Sequence, residues 1–350
     1  MGMTVVKATF PTRGEVWSVS LEWSRDGETF RPANVGLPRA WDLFRSVSYL
    51  DDQTTVLVPV AGFFATSEQM LFFQESGRYW FRIKVTFRDA SKPRTAPDQR
   101  DPNIEPVVVE RIVDVGPPLE ADLDFIAGLA QPELIRAMFG EDFFTRKVPE
   151  AREYYADAEV RAVKVIARFL VATREKWVGD VVRTVPPNGD VQKAAHALLA
   201  LARRFPKSSY APYAAYYAGC CYAGIAITQA EEAIRERRAL GELKDEVELG
   251  VFRAERMQND ANRATAHEAF ALAGQRADAY LKPRVLYQHG NLHLVLFDFD
   301  ASRRLLAEGL ECVPGVDIVR EWTREALEGI EVVKARLQEA TKREDESSND

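Results

Sequence analysis

Two adjacent prolines, Pro117 and Pro118, split the 350-residue chain into halves with different hydrophobic periods. Proline donates no backbone hydrogen bond and pushes the residue before it out of the helical region, so neither a strand nor a helix runs cleanly through the pair. Before it, large apolar residues recur every second position; after it, they recur at helical spacing. That pattern does not fit one α/β layer of alternating strands and helices. It predicts a multidomain chain, an all-β unit over 1–117 followed by an all-α unit over 118–340.

In the first half, Trp17, Val19, Leu21 and Trp23 alternate with Ser18, Ser20 and Glu22, which puts the large side chains on one face of a strand. Asp26-Gly27 supplies a positive-φ turn and predicts a hairpin returning through Thr29 and Phe30. The longest alternation is Tyr79, Phe81, Ile83, Val85 and Phe87, interleaved with Trp80, Arg82, Lys84, Thr86 and Arg88. One side is core and the other wet, as in an antiparallel sheet covered on one face. Further strands are expected at 5–10, 54–60, 70–73 and 107–115, and the spacing predicts an antiparallel sandwich. The four prolines and many charges of 90–106 predict a long exposed loop. Ser76-Gly77-Arg78-Tyr79 resembles the Gly-x-Tyr approach to a late strand in immunoglobulin-like and fibronectin-like sandwiches. The resemblance implies an Ig-like topology, without the family's inter-sheet cysteine pair.

In the second half, helices are expected over 119–129, 132–139, 149–180, 190–205, 210–238, 242–281, 283–296, 300–312 and 316–339. Pro132, Pro149 and Pro283 take first-turn positions, where the missing N–H has no intrahelical acceptor anyway. The stretch 341–350 has no apolar side chain and is expected to be a disordered tail. Residues 208–230 carry no charge and are long enough to cross a bilayer, but they are mostly Ala, Gly and Tyr. Such a composition gains little on transfer to lipid, so no membrane span is expected.

Gly290 and Ser302 are small residues on successive expected helices, with Leu286, Leu306, Gly309 and a closing Pro314 around them. A second, partial set is Ala194, Leu198, Leu201 and Pro206. These resemble tetratricopeptide (TPR) repeats, helix–turn–helix units of about 34 residues with small residues at the crossing points. The junction Arg204 to Ala211, reading RFPKSSYA, is similar to the Tyr-Pro-x-Ser-x-Tyr-Ala junction of bacterial envelope TPR proteins. The resemblance covers about 190–315; 119–189 and the long 242–281 helix depart from the pattern. It implies a peptide groove carrying Tyr213, Tyr216, Cys220 and Ala223 on one helix and Arg284, Tyr287, Asn291 and Leu294 on another. Of these, Tyr213, Tyr216, Arg284, Tyr287 and Asn291 are the candidate partner contacts. Tyrosines offer large contact area at low entropic cost, and an Arg/Asn pair suits a carboxylate or a strand backbone. The alternative is that neighbouring helices cover these residues.

Chemistry-bearing motifs are few. His289-Gly290-Asn291-Leu292-His293 sets two imidazoles at i and i+4 on one helical face, the spacing of zinc-binding helices. Gly290 replaces the usual glutamate, and a third ligand such as His267, Asp298 or Asp300 would have to be supplied by folding. In the repeat register both histidines take packing positions, so core histidine is the expected role. Phe297-Asp298-Phe299-Asp300 is expected to form the turn between repeat helices, one Asp capping the second. His196 with Cys220 or Cys221 is the remaining conceivable nucleophile pair. No G-x-S-x-G, P-loop, dinucleotide fingerprint or C-x-x-C occurs. Three cysteines, two of them adjacent, are not a disulfide framework. With 46 Lys+Arg against 53 Asp+Glu, the net charge of −7 repels a phosphate backbone, so nucleic acid is not the expected partner.

These features predict a non-enzymatic scaffold or adaptor, without catalytic residues or cofactor, that binds a protein or peptide through its helical half. One alternative is a regulatory subunit or protease substrate recognised at the 90–106 loop. Another is a metal-dependent module using His289 and His293. The start of the chain has no basic, then apolar, leader, so the expected location is cytoplasmic, or the periplasm or envelope if a signal peptide has been removed.

Overall fold

The computed structural model describes residues 4–10, 14–32, 49–50, 54–61, 76–89, 91–92, 100–101, 103–117, 119–129, 191–243, 246–313 and 318–347. The strand expected at 70–73, the helices expected at 132–139 and 149–180, and most of the 90–106 loop lie outside them.

The described residues of the first half form seven strands: β1 (Thr4–Phe10), β2 (Gly14–Ser24), β3 (Arg31–Pro32), β4 (Tyr49–Leu50), β5 (Thr54–Ala61), β6 (Gly77–Phe87) and β7 (Val107–Val115). They form two antiparallel groups. β1 pairs with β5, while β6 lies between β2 and β7, with β3 and β4 as short additions on β2. The described residues thus establish a three-strand antiparallel core, β2-β6-β7, not a closed sandwich. The period-two reading of β6 is seen directly: Tyr79, Phe81, Ile83, Val85 and Phe87 are buried, together with Leu21 and Val109 from its neighbours. On the other face Arg78 sits opposite Asp114 and Arg82 opposite Glu110, and both pairs join by ion pairs at 2.7 and 2.8 Å. Gly27 has φ +79°, as the hairpin turn requires, and Asp26 accepts from the backbone N–H of Glu28 and Thr29 at 2.8 Å each. Tyr79 packs against Trp23, with the Arg25 guanidinium 4.3 Å from its ring centre.

From Glu120 the described elements are helical: α1 (Glu120–Leu129), α2 (Val191–Arg204), α3 (Ala211–Ala239), α4 (Glu246–Gln258), α5 (Ala261–Arg276), α6 (Leu281–Val295), α7 (Phe299–Cys312) and α8 (Ile318–Ser347). Two expectations are corrected. The single helix expected over 242–281 is two, because Asp260 leaves the helical region (φ −79°, ψ 125°) and its carboxylate accepts from the N–H of Asn262 and Arg263, starting α5 afresh. The expected disordered tail is helical as far as Ser347; its Lys, Arg and Glu are good helix formers, and no Gly or Pro interrupts them.

The helices pair antiparallel. Leu286 lies by Gly309, and Gly290 by Leu306 and Ser302, so rising numbers on α6 meet falling numbers on α7. Likewise Tyr213 bonds Asp278 just beyond α5, and Gly219 meets Phe270 within it. A continuous apolar core runs from Phe125 of α1 through α2, α3 and α5 to Leu292 of α6. Glycines allow close approaches between helices: a Cβ on Gly128 would stand 2.5 Å from Leu201 Cδ2, one on Gly219 2.8 Å from the Phe270 ring, and one on Gly290 2.8 Å from Leu306 Cγ. Among the described residues no helix is long and apolar enough to cross a membrane.

Candidate functional site

The helical half gathers three of the four histidines. Asp260 fixes where α5 begins and so where His267 stands, two turns in. His289 and His293, one turn apart on α6, face it. α6 ends in a tight turn in which Phe297 takes the left-handed conformation (φ 59°) with its ring against Gly250 of α4. The turn delivers Asp298 to the start of α7, where its carboxylate accepts from Ala301 N–H at 3.3 Å and meets His293 Nδ1 at 2.9 Å.

The three imidazoles form a nearly equilateral triangle, with ring centres 4.5 to 5.1 Å apart. His267 Nδ1 lies 3.0 Å from His289 Nε2. One metal-ligating nitrogen from each ring can be chosen so that all three lie within 4.8 Å of one another. Burial, then the neighbouring imidazoles, pull His267 down to about 3; burial and His293 pull His289 down to about 4. Both rings are therefore neutral at pH 7, the form that keeps a lone pair to donate. Asp298 is held below the usual carboxylate range: burial opposes this, but the bonds from Ala301 and His293 outweigh it.

The candidate partner contacts separate into two groups. Tyr213 is buried and its hydroxyl donates to Asp278 Oδ2 at 2.7 Å, while the other oxygen of Asp278 accepts from the N–H groups of Tyr280 and Leu281 at the start of α6. Tyr216 is buried between Tyr217 and Phe270, and burial pushes its phenol well up. These two rings are packing residues. Arg284, Tyr287 and Asn291 are only half-buried. Arg284 stacks 3.5 Å over the Tyr280 ring, and Tyr287 lies 5.9 Å from the ring of Trp322 on α8, its hydroxyl sharing a hydrogen bond with Asn291.

Cys220 and Cys221 are fully buried, which drives the first thiol well up and the second to about 12, while His196 is exposed. Such thiols hold no nucleophilic thiolate at neutral pH. Two participants carry no sequence signal. Trp322 reaches the Tyr287 face from a helix outside the repeat match. Asp122 of α1 is 6% exposed, and its Oδ1 accepts from Ser208 Oγ and Ser209 N–H at 2.7 Å each, pinning the α2–α3 junction. The convergence of His267 likewise could not be read from spacing, since it sits 22 residues before His289 on another helix.

Compared with models of known protein families and with curated proteins, the chain matches none.

Proposed function

We propose that this protein is a non-enzymatic adaptor: a stack of TPR-like helix pairs that binds a protein or peptide partner over α6 and α8, preceded by an Ig-like β unit. The observation that carries this reading is the division of α6. Leu286, Gly290 and Leu292 are buried, while Arg284, Tyr287 and Asn291 keep part of their surface open. The Tyr287–Trp322 pair joins that surface to the next helix. A half-open aromatic pair flanked by a guanidinium and a carboxamide offers apolar contact and directed hydrogen bonds together, the composition of a binding hot spot. Glycine at the α3–α5 and α6–α7 crossings supports the repeat-like reading, because helical hairpins that stack closely need small residues there. On this reading the β1–β5 pair is the second layer of the Ig-like unit, and the boundary between 1–117 and 118–340 falls at the two prolines. The absence of an apolar spanning helix among the described residues fits a location in the cytoplasm or, after processing, the periplasm.

The test is affinity capture from the native cell extract with wild-type protein and with Tyr287→Ala and Asn291→Ala. Tyr287→Ala removes a tilted aromatic contact worth about 0.5–1.5 kcal/mol beyond the burial of its half-covered ring, and circular dichroism checks that the variant stays folded. A partner held by the wild type and lost by both variants supports the reading. Unfolding of Tyr287→Ala with no separable loss of binding by Asn291→Ala refutes it.

A further inference from the structure

We propose that His267, His289 and His293 form a binding site for a late first-row transition-metal ion of the zinc class, with Asp298 as the positioning residue. The argument is independent of the partner surface and rests on side chains contributed by three helices. His267 comes from α5, the i, i+4 pair from α6, and the acid from the cap of α7.

Zinc binds imidazole nitrogen at about 2.0–2.1 Å, which in tetrahedral geometry sets ligand nitrogens about 3.3 Å apart. His267 Nδ1 and His289 Nε2 are already at 3.0 Å, and the full set lies within 4.8 Å, so the rings need only small rotations to converge. His293 meets Asp298 through Nδ1, which leaves Nε2 as its free ligand nitrogen and reproduces the carboxylate–histidine support of metal-bound imidazoles. The donor set names the metal class. Three nitrogens with one supporting carboxylate suit zinc, copper, nickel or cobalt, whereas calcium and magnesium require many oxygens. Arg263 and Arg304 stand close enough to act on His267 and His289. Their positive charge opposes any bound cation, zinc included, and is offset by an anionic or hydroxide fourth ligand on a metal that three protein groups leave open. Arg263 Nε, one turn before His267 on α5, is buried with no hydrogen-bond partner.

The experiment uses the full chain, stripped with chelator and titrated with zinc chloride, with cobalt(II) as the spectroscopic probe. The expected result is one saturable site per chain and the visible absorption of four-coordinate cobalt. In the wild-type protein, the imidazole NMR signals of His267, His289 and His293 shift on zinc addition, while those of exposed His196 do not. His267→Ala and His289→Ala should each weaken zinc by more than about 100-fold. Asp298→Ser, which retains a capping oxygen but not the reach to His293, should weaken it by about 10- to 100-fold, as loss of an outer-shell partner does. His196→Ala should bind as the wild type does. Equal affinity in wild type and His267→Ala, zinc shifts at His196 alone, or no saturable binding would overturn the site. Should an alanine variant fail to fold, the wild-type NMR titration decides. Tyr287→Ala leaves these ligands in place, so zinc binding and partner binding fail separately.

Discussion

Gly290 and Gly329 both sit inside helices, yet their surroundings give the same substitution opposite signs. At Gly290 a new methyl group would stand 2.8 Å from Cγ of fully buried Leu306, which has no room to withdraw. Overpacking there costs about 1–3 kcal/mol, more than the up to about 1 kcal/mol that alanine adds in helix propensity. At Gly329 nothing lies within 4 Å of that methyl. In urea titrations Gly290→Ala should therefore lower the unfolding midpoint and Gly329→Ala raise it, the latter adding about 0.5–1 kcal/mol to the unfolding free energy. A stabilising Gly290→Ala would mean that α6 and α7 do not cross there. The small residue at 290 was legible in the sequence as a crossing point. The histidine triangle was legible only by half, because i, i+4 spacing reveals partners on one helix and says nothing about a residue brought in from another.

At the scale of elements, hydrophobic period located β1, β5, β6 and β7 and five of the described helices to within two residues, since one buried face leaves its repeat in the sequence, whereas β2 begins three residues earlier than its alternation and the two-residue β4 carries too short a pattern to be read. It erred where a polar side chain overrides the pattern. Asp260 interrupts a continuous helical period by capping a new helix, and the apolar spacing on either side hides the break. It also erred at the end of α8, where the lack of apolar side chains after 340 was read as disorder although the Lys, Arg and Glu there are good helix formers and extend the helix to Ser347. Asp122 is the other element-scale surprise. Its carboxylate joins α1 to the junction between α2 and α3 through Ser208 and Ser209. Asp122→Ala leaves those donors without their acceptor in a buried setting, so it should cost about 1–3 kcal/mol by thermal or chemical denaturation. No measurable loss would show that α1 does not dock through this carboxylate.

For the whole molecule, the change of period at Pro117 and Pro118 was the strongest signal, and the described residues bear out its coarse consequence: strands before, helices after. How the two strand groups close on each other was not legible, because alternation fixes which face is buried but not what buries it. The location of a partner surface rests on a finer contrast. The sheet also exposes apolar side chains, Val108 at 46% and Ile112 at 55%, so it is the rival docking face to Tyr287 and Trp322. Photocrosslinking from a benzoylphenylalanine placed either at Tyr287 or at Ile112, in the cells that make the protein, compares the two faces directly. The account predicts a covalent adduct with another protein from position 287 and none from position 112. No adduct from position 287, whether or not one forms from position 112, would contradict it.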